Sequence, residues 1–106
     1  MNFKITHLPN RASKPRKNGL TMMMDKGLSI RQVEDFIETA GHLTDLVKFG
    51  FGTSIISTNL EQKIKLYQEA DISVYFGGTL FEAYIARNMF DDYKRILDKY
   101  NIDTVE

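Results

Sequence analysis

The sequence contains no cysteine, only two prolines and no long apolar run. Without cysteine it forms no disulfide and offers no thiolate nucleophile or thiolate metal ligand, which suits a reducing cytoplasm. No apolar stretch approaches the ~20 residues that span a bilayer, and the first residues lack the apolar core of a secretory signal. We therefore expect one small cytoplasmic domain in the 106 residues, with no membrane partner.

The net charge of zero hides an uneven distribution. Residues 1–18 hold five of the 14 basic side chains and none of the 14 acidic ones. A basic arm can bind nucleic acid, but this one has a single aromatic residue, Phe3, and no repeat. We favour a solvated leader with no nucleic-acid partner; attraction of anions towards an active site is the alternative. Both prolines, Pro9 and Pro15, fall here and predict an irregular segment over 1–18.

The rest of the chain alternates between short apolar runs and segments with helical periodicity. The runs predict strands over 19–27, 45–54 and 72–78, and the periodic segments predict helices over 29–41, 59–70 and 79–100. Ser29 with Gln32, and Thr79 with Glu82, have capping-box spacing, and Asn59 is predicted to cap the second helix. Asn88 is a candidate break in the third helix. Residues 103–106 predict the start of a fourth strand.

Strict alternation of strands and helices predicts parallel strands with right-handed crossovers. Two architectures satisfy this pattern: an open doubly wound sheet, or part of a (β/α)8 barrel. A complete barrel takes about 250 residues, so three βα units and the start of strand four would be less than half of one.

The second strand places an unusual residue in an apolar setting. Because strand side chains alternate between faces, a barrel would turn one set towards the helices: Val47, Phe49 and Phe51. Lys48 would face the lumen, where Gly50 and Gly52 leave space. A buried ammonium needs a counter-charge, so a carboxylate or an anionic ligand is expected beside Lys48.

All three predicted strands end in glycine-rich turns, DKG, GFGTS and FGGT. Ligands of parallel α/β folds bind at the carboxyl ends of strands, where backbone N–H groups and helix N-termini favour anions. The turns therefore predict a small, phosphate-bearing ligand. Asp25 either accepts a helix N-terminal N–H or takes part in catalysis. Lys26 is either exposed or assists at the site, and Thr79 either serves capping alone or also contacts the ligand.

Five segments together resemble the phosphosulfolactate synthase family: KPR (14–16), DKG (25–27), VKFGFGTS (47–54), FGGTLFE (76–82) and VE (105–106). The resemblance implies a (β/α)8 TIM barrel with residues 19–106 as its N-terminal part. It implies a lyase that adds sulfite to phosphoenolpyruvate to give (2R)-phospho-3-sulfolactate, in coenzyme M or sulfolactate biosynthesis. It further implies Mg²⁺ as cofactor and a homo-oligomer at full length. A non-enzymatic, heat-stress-associated relative and another phosphate-binding barrel enzyme are the alternatives.

The resemblance also implies roles for particular residues. Lys48 would bind phosphate or carboxylate in catalysis, and Lys26 would assist. Asp25 and Glu106 would coordinate Mg²⁺ directly or through water. The predicted substrate-binding residues are Gly50, Gly52, Thr53, Gly77, Gly78 and Thr79. The family continues after VE with four further βα units, which carry a lysine as general acid. We therefore expect this chain to be a fragment or a natural truncation, inactive by itself and unstable unless it self-associates.

Overall fold

A computed structural model describes all residues, Met1–Glu106. The elements follow one another as β1 (Met22–Asp25), α1 (Ile30–Ala40), β2 (Leu46–Phe49), α2 (Leu60–Glu69), β3 (Ser73–Phe76), α3 (Gly78–Ala86) and α4 (Phe90–Lys99). Short 3₁₀ turns occupy Gly41–Leu43 and Thr53–Ile55. The predicted alternation of strands and helices is confirmed. None of the helices is long and apolar enough to cross a membrane.

The three strands form one parallel sheet in the order β1-β2-β3. The parallel prediction is therefore confirmed, and the sheet is compatible with the start of a barrel. The register aligns Asp25 with Phe49 and Phe49 with Phe76, so these three side chains share one face of the sheet. That face packs on the helices in a single core: Val33, Val47, Phe49, Ile64, Tyr67, Ile72, Val74, Phe76, Leu80, Tyr93 and Ile102.

The opposite face of the sheet carries Met24, Lys48 and Tyr75, which are aligned across the three strands. All three are only partly buried, because no element of the chain packs over this face. The predicted orientation of Lys48, away from the helix layer, is confirmed by the burial of its neighbours Val47 and Phe49.

The helix ends test the predicted capping signals. The capping box of Ser29 and Gln32 is confirmed, since each side chain bonds the other's backbone N–H. The side chain of Asn59 makes no capping bond, although Asn59 occupies the N-cap position of α2. The predicted Thr79 capping box is wrong because Gly77 is the N-cap of α3, which places Thr79 inside the first turn.

The predicted break at Asn88 is confirmed. Asn88 has a left-handed backbone with φ of 57° and separates α3 from α4. The predicted fourth strand is wrong: residues 103–106 have no strand conformation and make no backbone hydrogen bond to β3. The side chain of Glu106 bonds the start of α3 instead.

The leader contains no helix or strand, but three of its basic side chains are not simply solvated. Arg16 Nη1 lies 2.9 Å from Asp45 Oδ1, just before β2 begins, and Arg11 also contacts Asp45. Lys14 Nζ donates to the carbonyls of Gly41 and Ala70, which end α1 and α2. These contacts lie at the amino ends of the strands. The later part of the leader therefore lies against the amino ends of the strands, away from the edge where the ligand is predicted, whereas residues 1–10 are exposed.

Candidate anion site at the carboxyl edge of the sheet

Lys48 reaches the carboxyl edge of the sheet by passing over a glycine. A Cβ added to Gly77 would lie 2.8 Å from Lys48 Cε, well inside a normal carbon contact. The ammonium ends 2.9 Å from both carboxylate oxygens of Glu106. The expected counter-charge for Lys48 is therefore present, and the absence of a side chain at Gly77 gives the lysine its path.

Glu106 is held from a second direction by the start of α3. Its Oε2 accepts a hydrogen bond of 2.9 Å from the backbone N–H of Gly78, the first residue of that helix. The hydrogen bonds from Lys48 and from Gly78 hold the pKa of Glu106 below its ordinary value. One carboxylate thus meets a cation and a helix N-terminus together, an arrangement suited to binding an anion.

Five of the predicted site residues meet in this place. A cavity of about 220 Å³ is lined by Lys48, Gly77, Gly78, Thr79 and Glu106, together with Met24, Phe51 and a second carboxylate, Glu82. A larger hollow of about 380 Å³ lies at the amino ends of the strands. Its cations are already engaged, Arg16 by Asp45 and Lys14 by two carbonyls. Lys48 is likewise paired with Glu106. The carboxyl edge is the better candidate because the N-terminus of α3 lies there and ligands of parallel α/β folds bind at the carboxyl ends of strands.

The turn after β2 departs from the predicted strand. Phe51 and Gly52 have left-handed backbones with φ of 56° and 71°, so the strand ends at Phe49. The predicted packing of Phe51 against the helices is wrong, since this side chain is 66% exposed. The Thr53 hydroxyl and N–H both donate to the carbonyl of Gly50, so they stabilise the turn itself.

The remaining glycines provide space more than hydrogen-bond donors. The N–H of Gly50 donates to Asp25 O, and that of Gly77 donates to Phe49 O, so neither is available to a ligand. A Cβ at Gly50 would lie 2.8 Å from Met24 Sδ and 3.4 Å from Lys26 Cγ. Gly50 therefore leaves room for two side chains, and Gly78 is the glycine whose N–H donates to an anion.

Asp25 lies on the other face of the sheet, between β1 and α2. Its Oδ1 accepts hydrogen bonds from the backbone N–H groups of Gly27 (2.9 Å) and Leu28 (2.8 Å). Lys63 Nζ lies 3.0 Å from Oδ2, and the Tyr67 hydroxyl donates to the same oxygen at 2.9 Å. Burial raises the pKa of Asp25, but these four hydrogen-bond donors lower it more, so the pKa lies below its ordinary value.

These contacts agree most closely with the first of the two interpretations of Asp25, although the donors lie in the turn before α1. The carboxylate accepts N–H groups just before α1, as the first alternative predicted, and both of its oxygens are filled by protein donors. It therefore does not fit a direct magnesium ligand. Sequence reasoning missed Lys63 as a partner of Asp25. Helical spacing was a usable signal, because Lys63 precedes Tyr67 by four residues and shares its buried face.

Lys26 and Thr79 lie at the edge of the sheet without fixed partners. Lys26 is exposed and forms no ion pair. The Thr79 methyl group lies 3.9 Å from the position of a Cβ at Gly52, so the turn after β2 and the start of α3 are neighbours. Thr79 lines the candidate anion site, whereas Lys26 lines a separate cavity of about 390 Å³ together with Ser29 and Thr53. Their roles in ligand binding stay predictions.

Together the parallel sheet and this edge define an α/β protein with a candidate anion site at the carboxyl ends of its strands. Comparison with known proteins gives the particular family. Residues 9–106 match the model of the family (2R)-phospho-3-sulfolactate synthase (ComA), and the chain belongs to this family. The resemblance drawn from the sequence motifs is thereby confirmed.

Three curated relatives match the chain, and each is named phosphosulfolactate synthase. That of Bacillus subtilis (strain 168) is 37% identical over 106 residues, which cover all of this chain and 42% of the relative. That of Methanocaldococcus jannaschii is 39% identical over 92 residues, covering 85% of this chain and 37% of the relative. That of Methanothermobacter thermautotrophicus is 34% identical over 100 residues, covering 92% and 39%. The chain thus spans about two fifths of the length of these relatives.

Proposed function

We propose that this chain supplies the anion-binding edge of a phosphosulfolactate synthase, a lyase that joins sulfite to phosphoenolpyruvate. The observation that carries the proposal is the convergence of Lys48 Nζ and the Gly78 N–H on one carboxylate, each at 2.9 Å. Membership of the family supports the choice of substrates. We propose a (β/α)8 barrel for the full-length protein, in which the three parallel strands are the first three.

The proposed reaction forms one carbon–sulfur bond and breaks none to phosphorus. The sulfur lone pair of sulfite attacks C3 of phosphoenolpyruvate, and the C2–C3 π electrons move to C2 and into the carboxylate. A general acid then delivers a proton to C2, which completes (2R)-phospho-3-sulfolactate. Negative charge grows on the carboxylate during the attack, so a fixed cation beside it lowers the barrier. The general acid is proposed to lie outside these residues.

Lys48 is our candidate for the cation that meets the substrate. Its ammonium already lies at the start of α3, where a phosphate or a carboxylate is favoured. Glu106 occupies that place with its own carboxylate, so a bound substrate shares Lys48 with Glu106 or displaces it. Lys26, at the neighbouring turn, is our second candidate cation for the substrate. Thr79 lies on the α3 side of the same cavity.

Mg²⁺ is a proposal that rests on the resemblance alone. Magnesium prefers hard oxygen ligands in octahedral geometry. Asp25 does not fit this role, because four protein donors surround its carboxylate. Glu106 offers a single carboxylate, and no group of three or more acidic or histidine side chains in the chain is arranged to hold a metal ion. We therefore assign no step to the metal.

A chimera provides a direct test. Residues 1–106 would replace the matching segment of the Bacillus subtilis phosphosulfolactate synthase, and sulfite-dependent consumption of phosphoenolpyruvate would be measured beside this chain alone. We expect turnover by the chimera and none by the chain. Lys48→Met should lower kcat/KM by about 100-fold or more, the size of effect seen when one charge-stabilising donor is removed. Lys65→Met, an exposed lysine of α2, is the matched control and should leave the kinetics unchanged.

Other outcomes would point elsewhere. Normal kinetics of Lys48→Met would remove this residue from the site. A folded chimera that does not bind phosphoenolpyruvate would favour the non-enzymatic relative. Turnover of a different phosphorylated substrate, without any need for sulfite, would favour another phosphate-binding barrel enzyme.

A further inference from the structure

A second polar cluster lies on the helix side of the sheet, outside the proposed anion site. We call Asp25, Lys63 and Tyr67 the Asp25 cluster. Their exposed fractions are 0%, 2% and 0%, so a carboxylate and an ammonium are enclosed together in the core. Lys63 Nζ also lies 5.4 Å from the centre of the Phe49 ring, a favourable position for a cation. Nothing in the proposed reaction uses this cluster directly.

Stability alone is a poor reason for such a cluster. Taking two charges out of water costs several kcal/mol per ion, and apolar residues of similar volume often serve a core equally well. The cluster does something that apolar residues do not: Asp25 Oδ1 accepts the N–H groups of Gly27 and Leu28. The turn between β1 and α1 is therefore fastened to the core by one oxygen atom.

That turn carries Lys26. The lysine lies between Asp25, the end of β1, and Gly27, whose φ of 116° favours glycine. Both of its chain neighbours are thus fixed by the same carboxylate. The carbonyl of Asp25 also accepts the N–H of Gly50 at 2.9 Å, which joins this turn to the one after β2. The Lys26 side chain runs over Gly50, where an added Cβ would lie 3.4 Å from its Cγ.

We infer that the Asp25 cluster positions Lys26 at the edge of the sheet where the substrate binds. Lys63 and Tyr67 of α2 hold the Asp25 carboxylate, that carboxylate holds the turn, and the turn aims the lysine. Lys26 lines a second cavity of about 390 Å³ between the turns that follow β1 and β2, with Ser29 and Thr53. Asp25, Lys63 and Tyr67 line neither this cavity nor the one beside Lys48, so they are positioning residues. This inference rests on the proposed function and adds to it a set of residues that act through Lys26.

A double-mutant cycle in the chimera tests the inference. Tyr67→Phe removes one hydrogen bond to Asp25 and keeps both the ring and the ion pair, so the variant should fold. We expect it to lower kcat/KM about 10-fold, as loss of an outer hydrogen-bond partner commonly does. Once Lys26→Met is in place, Tyr67→Phe should cause no further loss. Tyr84→Phe, a half-buried tyrosine of α3 outside the cluster, should leave kcat/KM unchanged.

A purely structural role predicts a different pattern. Tyr67→Phe would then lower kcat/KM by the same factor with Lys26 and with Met at position 26, because independent effects multiply. That result would overturn the inference, as would full activity of Tyr67→Phe.

Amide hydrogen exchange gives a measurement that does not depend on activity. In the chimera the Gly27 and Leu28 amides should be protected, and Asp25→Ala should make them exchange at least ten times faster. Asp25→Asn keeps one acceptor oxygen and should retain the protection. Unprotected amides in an active, unsubstituted chimera would overturn the inference. Protected amides in a chimera inactive on phosphoenolpyruvate and sulfite would support the turn contact and count against the proposed function instead.

Discussion

Gly77→Ala should impair substrate binding and catalysis more than stability, because the added methyl group would collide with a single flexible side chain. Its carbon would lie 2.8 Å from Lys48 Cε, whereas carbon atoms pack at about 3.5–4.0 Å. The next atoms, Phe49 O at 3.4 Å and Glu106 Oε2 at 3.5 Å, are at tolerable distances. The strain is therefore relieved by moving the end of Lys48 by roughly 1 Å. The backbone of Gly77, with φ of −73°, accepts alanine without strain.

The expected cost in folding is small. An off-rotamer lysine costs about 1 kcal/mol, and a partly exposed ion pair such as Lys48–Glu106 contributes ~1 kcal/mol or less. The free energy of unfolding should therefore fall by only about 1–2 kcal/mol. Catalysis is more sensitive, since a 1 Å misplacement can cost ~100-fold in rate. We expect kcat/KM of the chimera to fall by about that factor.

The displacement of Lys48 can be tested by comparing stability with kinetics and by measuring the pKa of Glu106. Urea unfolding and steady-state kinetics of the chimera would give the two losses, with Gly78→Ala as the comparison. A Cβ at Gly78 would lie 3.8 Å from Glu106 Cδ, an ordinary contact, so the loss of kcat/KM should be clearly smaller there. Carboxyl NMR should show the pKa of Glu106 rising towards its ordinary value in Gly77→Ala, because the Lys48 hydrogen bond lowers it. Equal kinetic losses for the two alanines, or an unchanged pKa, would refute the reasoning.

Three further predictions concern stability. Lys63→Met leaves the buried Asp25 carboxylate without its counter-charge and should lower the free energy of unfolding by about 3–5 kcal/mol in urea titrations. The control Lys65→Met should change the free energy of unfolding by less than ~0.5 kcal/mol. Similar effects of the two substitutions would contradict the buried ion pair. Since folding lowers the pKa of Asp25, the contribution of its carboxylate to stability is complete above the ordinary carboxyl pKa of ~3.9 and is lost as the pH falls below that value. Asp25→Asn should therefore reduce the loss of stability in acid, measured by thermal unfolding between pH 2 and 6 (roughly the range over which carboxyl groups titrate). An unchanged dependence of stability on pH would exclude Asp25 as the source of that loss. The chain by itself leaves Met24, Lys48 and Tyr75 on an uncovered sheet face between two free strand edges and should self-associate, which light scattering after size exclusion would detect; a monomer with one sharp unfolding transition would contradict this.

Much of the fold could be predicted because local patterns and packing agree. The alternation of apolar runs with helical periods led to the parallel sheet, and the capping box at Ser29 was visible from spacing alone. The side-chain period of two placed Lys48 on the face opposite Val47 and Phe49. The same period failed one step later at Phe51, because a strand pattern does not reveal where the chain leaves the extended conformation.

The candidate site was predictable only in part. Lys48, Gly77, Gly78, Thr79 and Glu106 were selected by motif and do line one cavity. The sequence did not show on which face of the sheet the Asp25 side chain lies, because this depends on the register that aligns Asp25 with Phe49. Because the Asp25 side chain lies on the helix side of the sheet, its carboxylate contacts Lys63 and Tyr67 of α2 and does not line the candidate anion site.

The sequence by itself determined the order of the elements, the parallel class of the sheet and the family, because each depends on short patterns carried along the chain. Only the tertiary structure decided which charges meet. Asp25 and Lys63 are 38 residues apart, Lys48 and Glu106 are 58 apart, and Arg16 reaches Asp45 from the leader. Such pairs depend on the register of strands and the packing of helices, and a charge gains its partner only when those bring the two groups within a few ångströms.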